Sequence, residues 1–202
     1  MLQDTKNQLS EFQLSVLKDT QFFDAKREGV RILSSHFHDL QEALAGPWQN
    51  SSLHPEFQGA AAKIFKGENY NGYPYVNMDF PRQFGTKSIF AFRSMFWWGH
   101  GFSFTLHLQG EAYAAMARGL AAKIRLLEGK GYYLCVNDSP WEYHYGEDNY
   151  RLLDEILVSG ELGYWAPDKQ FIKISRRLEL HNYMDIVRFG SETFGELLRC
   201  LE

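Results

Sequence analysis

Cysteine is nearly absent from this 202-residue chain, with Cys135 and Cys200 as its only two. Two thiols build neither a disulfide framework nor a four-cysteine zinc site, and such low usage fits a reducing compartment. Long apolar runs are missing too; none approaches the roughly 18–20 residues of a membrane span. The start, Met1 to Lys6, lacks the apolar stretch of a secretory leader, so a cytoplasmic location and no membrane partner are expected. There is little excess of one charge: 21 basic against 25 acidic residues leave −4. That balance argues against general nucleic-acid binding while leaving room for a local basic patch.

The familiar catalytic signatures are missing as well. No G-x-S-x-G elbow and no H-E-x-x-H pair occur. Gly67 and Gly72 with Lys63 and Lys66 fit neither the Walker spacing nor the dinucleotide fingerprint, so no cofactor is expected. His36 and His38 lie two apart on an expected helix, about 200° apart around its axis, and cannot share an ion. His54, His100, His107, His144 and His181 are scattered. His144 and Glu147 would need a distant third ligand, and no metal site is expected. Cys135 and Cys200 have no evident activating neighbour and read as packing residues.

What the chain does have is aromatics: 16 Phe, 11 Tyr and 5 Trp, or 16% of it, within 45% apolar residues overall. Rings in that number require a large core, an aromatic pocket or an interface. With 202 residues and no internal repeat or linker, a single domain over 1–202 is expected, a helical segment at about 6–45 resting on an α+β body.

Leu9, Phe12, Val16 and Phe23, then Val30, Leu33, Phe37, Leu40 and Leu44, recur at helical spacing. Gly29 either divides two helices or sits within one long one, and Gly46-Pro47 ends the element. Phe57, Ala61, Ile64 and Phe65 suggest a short helix over Pro55–Lys66, followed by a loop at Gly67–Gly72. Tyr75–Phe80 alternates as a strand that Pro81 stops or holds at an edge. Ser88–Trp98 and Phe102–Gln109 flank Gly99-His100-Gly101 and read as a hairpin. Setting Trp98 against Phe102 leaves one face almost wholly apolar, whereas a one-residue slip mixes the faces. Further elements are a helix at Glu111–Glu128, a strand at Gly131–Asn137 and a helix at Glu147–Val158. Strands at Gly163–Trp165 and Gln170–Ser175 around a turn at Ala166–Lys169, and a helix at about Asn182–Leu201 that Gly190 could break, complete the chain. The expected class is α+β: a mostly antiparallel sheet with a central hairpin (about 88–109) covered by N- and C-terminal helices.

The hairpin has a second face, carrying Ala91, Arg93, Met95 and Trp97 against Ser103, Thr105, His107 and Gln109. In the expected register Arg93 faces His107. With Asp79 and Arg82 from the preceding strand, the face could hold a small anionic ligand, with or without catalysis. Arg93 and Arg82 would anchor the anion, His107 would carry a proton polarised by Asp79, and Trp97 and Thr105 would line the site. The plain alternatives are a solvated sheet face and a structural polar network. Trp141, Tyr143 and Tyr145 around His144, bounded by Pro140 and Gly146, read as a loop: a solvated one on the simpler reading, or one over a pocket to which Glu142, Glu147 and Asp148 could supply acids. The rival function is a protein–protein interaction module without chemistry. It would use the aromatic hairpin tip Phe96–Phe102 or the N-terminal helix as a homo-oligomer seam. A third, weaker reading is a nuclease-like enzyme using the scattered histidines and acids.

Overall fold

The computed structural model describes residues 8–54, 56–57, 61–160 and 170–202. The fold is α+β. A seven-stranded antiparallel sheet has the order β1-β2-β3-β4-β7-β5-β6. The strands are β1 (Lys63–Tyr70), β2 (Tyr73–Phe84), β3 (Ser88–Trp97), β4 (Gly101–Gly110), β5 (Tyr132–Cys135), β6 (Tyr150–Leu152) and β7 (Phe171–Leu178). The helices are α1 (Glu11–Lys18), α2 (Thr20–Gln49), α3 (Glu111–Lys123), α4 (Leu153–Ser159) and α5 (Ile186–Leu201).

The apolar face of the sheet carries Phe90, Phe92, Phe96, Phe102, Phe104, Leu106, Leu108, Ile172 and Ile174, all buried. Three helices cover it, each with an apolar stripe at helical spacing. α2 contributes Leu33, Phe37, Leu40, Leu44 and Trp48; α3 contributes Tyr113, Met116 and Leu120; α5 contributes Phe194, Leu197 and Leu198. Rings interlock across this layer, with Trp48 stacked on Phe90 at 5.2 Å and Phe194 edge-on to Phe92 at 5.1 Å. Burying side chains of this size contributes about 1.5–3 kcal/mol each before entropy is counted.

Several boundaries differ from the sequence expectation, each for a local reason. The N-terminal helix divides at Asp19, not Gly29, because the Asp19 carboxylate accepts the Phe22 amide at 3.1 Å and caps α2. Pro47 lies within the last turn of α2, which runs on to Gln49. In place of a helix through Lys66, Lys63–Tyr70 is an edge strand paired with β2, with the turn at Asn71-Gly72. β2 is flanked on both sides and continues through Pro81, with an irregularity between Asp79 and Arg82. Tyr150–Leu152 pairs with β5, so α4 starts only at Leu153. The expected strand at Gly163–Trp165 and the turn at Ala166–Lys169 lie outside the described residues, as do Met1–Asn7 and Pro55.

The central hairpin forms with its two faces as expected, but its pairs are displaced by two residues. Trp97 faces Gly101, Phe96 faces Phe102 and Arg93 faces Thr105, while His107 faces Ala91. The turn closes when the His100 amide donates to the Trp97 carbonyl at 2.9 Å. Gly99 (φ 78°) and Gly101 (φ 85°) take the left-handed backbone this requires. A two-residue slide keeps every side chain on its own face, so hydrophobic patterning does not distinguish the two registers.

Candidate functional site

The second face of the sheet is polar, and register fixes its membership. Paired residues share a face, which yields a row Lys63–Asp79–Arg93–Thr105–Ser175–Tyr133 across β1, β2, β3, β4, β7 and β5. A neighbouring row runs Arg82–Ala91–His107–Lys173, and Ser103 faces Arg177. Among the described strand residues this face holds the cations Lys63, Arg82, Arg93, Lys173 and Arg177 against one carboxylate, Asp79. The chain as a whole is net negative.

Residues 136–149, between β5 and β6, cross this face. Their ends meet where the Val136 amide donates to the Asn149 carbonyl at 2.8 Å, the closed neck of a compact loop. Asn149, fully buried, donates through Nδ2 to the His144 carbonyl at 2.6 Å. The loop sets Tyr143 against the sheet, where its hydroxyl accepts from Arg93 Nη1 at 2.7 Å. Its backbone amide donates to Tyr70 Oη at 2.6 Å, and Tyr70 donates in turn to Glu142.

Beneath the loop, Arg93 grips Asp79 with two bonds, Nε to Oδ1 at 2.7 Å and Nη2 to Oδ2 at 2.8 Å. This forked geometry is the strong form of the pair. Although the guanidinium is deeply buried, its bonds to Asp79 and Tyr143 hold its pKa above the usual value. Lys173 is wholly buried, donates to the Glu142 carbonyl and lies 4.1 Å from the Tyr143 ring centroid. Burial lowers its pKa to about 8, helped by the nearby Arg93. His107 is buried as well. Burial above all, then the Lys173 and Arg93 charges, bring its pKa to about 3. Its Nε2 meets Gln109 Oε1 at 3.3 Å. Thr105 Oγ1 and Ser175 Oγ are 2.7 Å apart, and Ser175 meets Tyr145 Oη at 2.5 Å.

At the hairpin end the loop and sheet part. A cavity of about 50 Å³ opens between Trp97, His100, Ser103, Tyr143, Tyr145 and Arg177. Trp97 and His100 stack at 3.6 Å, 16° from parallel, and form one wall. Trp97 is fixed through Nε1, which donates to the Tyr70 carbonyl at 3.2 Å. Arg177 lies over the Tyr145 ring at 4.9 Å and reaches Glu179 at 3.6 Å. The Tyr145 hydroxyl, enclosed among the strands, is held well above its normal pKa by burial and stays protonated.

The residues expected from sequence are thus all on one face, in different roles. Asp79 serves Arg93 and does not polarise His107. Arg82 stands at the rim beside Phe84. Thr105 belongs to the buried hydroxyl chain, and Trp97 walls the cavity. Sequence reasoning missed Lys173, Ser175 and Arg177. Their alternation with Ile172, Ile174 and Arg176 was readable, but not that β7 inserts between β4 and β5. Among the described residues no group of three or more His, Cys, Asp or Glu is placed to hold a metal ion. Among them, too, no helix is long and apolar enough to cross a membrane. Comparison with protein-family models, with curated proteins and with solved structures finds no match.

Proposed function

We propose that the protein binds a small ligand with an anionic group and an aromatic or apolar body in the cavity at the hairpin end of the loop-covered face. The observation that carries this reading is Arg177, which β7 places in the wall of that cavity, on a sheet floor whose described strand residues hold five cations against one carboxylate. Arg177 and Ser103 supply donors to the anionic group, and Trp97 stacked on His100 offers a flat wall to the body. The cavity takes a group of a few heavy atoms, the size of a carboxylate. Arg93, Asp79 and Tyr143 position the loop. With its pKa near 3, His107 is neutral at pH 7. It is poorly matched to proton transfer there, which favours binding over acid–base catalysis.

The test uses tryptophan fluorescence, with benzoate and inorganic phosphate as probes. Saturable quenching by benzoate is expected, with Kd raised about 10- to 100-fold in Arg177→Ala, the loss of one hydrogen bond to a charged group. No saturable response to either probe, or an identical one in Arg177→Ala, overturns the reading.

A further inference from the structure

The N-terminal arm is apolar and uncovered. α1 has no buried residue, and the first buried residue of α2 is Leu33. Leu9, Phe12, Leu17, Phe22 and Phe23 are 43–76% exposed. Beside the arm, between α2 and β1, lies an open groove of about 510 Å³. Its α2 wall runs from Arg27 to Ser34; Val30, Ile64, Phe65 and Val76 provide its apolar surface, with the charged Arg27, Glu28, Arg31 and Lys66 along it. That wall is eight residues long, as is α1, about 12 Å of helix in each case.

We infer that two copies of the chain exchange arms, α1 of each lying in the α2–β1 groove of the other. A chain's own α1 does not fill its own groove. Asp19 is the only residue between α1 and α2, whereas a helical hairpin needs a loop of about 2–5 residues to reverse direction. A second copy brings a free helix without that constraint, and reciprocal exchange closes as a two-fold dimer. Leu9 ahead of α1, Phe12 and Leu17 on it, and Phe22 and Phe23 at the start of α2 offer on the order of 500 Å² per copy, which sets an upper limit of about 1,000 Å² on what the two arms can contribute before the groove walls are counted, the lower end for a specific interface. Charge favours this occupant over a lipid surface. Residues 8–31 carry Glu11, Asp19, Asp24 and Glu28 against Lys18, Lys26, Arg27 and Arg31, a zero balance where a membrane-surface helix is rich in Lys and Arg.

Sedimentation velocity at micromolar concentrations is expected to give a dimer for the native chain. Phe12→Asp/Leu17→Asp should be a folded monomer whose melting midpoint no longer rises with protein concentration, as that of a native dimer must. Mixing Leu17→Cys with Ser34→Cys under oxidising conditions should give an intermolecular disulfide that neither variant forms alone; the native cysteines are both buried and stay silent. A monomeric native chain, a dimer that survives the double substitution, or a dimer without the mixed disulfide overturns the inference. So does binding of the arm to phosphatidylserine vesicles without dimerisation.

Discussion

Arg93 shows how a single side chain organises this molecule. Its guanidinium is mostly buried and takes both oxygens of an almost fully buried Asp79. Removing one partner leaves the other charge without compensation, so Asp79→Asn should lower unfolding free energy by about 3–5 kcal/mol in urea titrations. Replacing both by apolar residues, Asp79→Leu/Arg93→Met, should cost much less, because the desolvation of both ions is relieved together. Equal losses in the two variants would refute that account. His107 and Lys173 give the pH dependence. The folded pKa of His107, near 3, lies below its ordinary 6.5, so between these values the unfolded chain holds more protons. Stability then rises with pH from about 3 to 6.5, and His107→Gln should flatten that limb. For Lys173 the window is about 8 to 10.5 and the sign is the same. The cost of burying the ammonium is full below pH 8 and fades as pH climbs. Melting midpoints across pH for native chain, His107→Gln and Lys173→Met test both limbs.

Elements were legible where a periodic stripe and a cap agreed, and misread where pairing overrode local pattern. The α2 stripe from Leu33 to Leu44 and the alternation in β2 and β3 follow directly from side-chain period. Ile64 and Phe65 suit a helix just as well; only the presence of β2 alongside makes them a strand, a contact no local window reveals. The hairpin faces followed from hydrophobicity, while its register awaited the turn. Gly190 shows the same limit. It reads as a helix breaker, yet it sits inside α5 where a Cβ would meet Leu40 and Phe104 at 2.8–2.9 Å. The glycine lets α5 approach α2 and β4 closely. Gly190→Ala should therefore destabilise by about 1–3 kcal/mol through overpacking, despite alanine's better helix propensity. A raised melting midpoint in that variant would show that the layers have slack.

For the molecule as a whole, the α+β class and the polar sheet face were readable in sequence. The sheet order was not, because β7 enters between β4 and β5 from far along the chain. That insertion brings Lys173, Ser175 and Arg177 to the candidate site. The same architecture implies uneven rigidity. α1 and the first turns of α2 contain no fully buried residue, and short, weakly supported helices are marginal in water. In the monomeric Phe12→Asp/Leu17→Asp variant, amides of residues 11–28 should exchange orders of magnitude faster than those of Phe90–Leu108. Comparable protection in both regions would mean that the arm is supported within one chain.

The neck joining Val136 to Asn149 has a further consequence. Both ends of the covering segment leave from one strand pair, β5 and β6, so the segment is a cassette: its length and sequence can change without altering how the strands are ordered. The floor keeps its cationic side chains in fixed register, and the cassette sets the shape of what covers them. On the binding function proposed above, chains sharing this sheet but carrying other inserts between Cys135 and Tyr150 should differ in which anion they select.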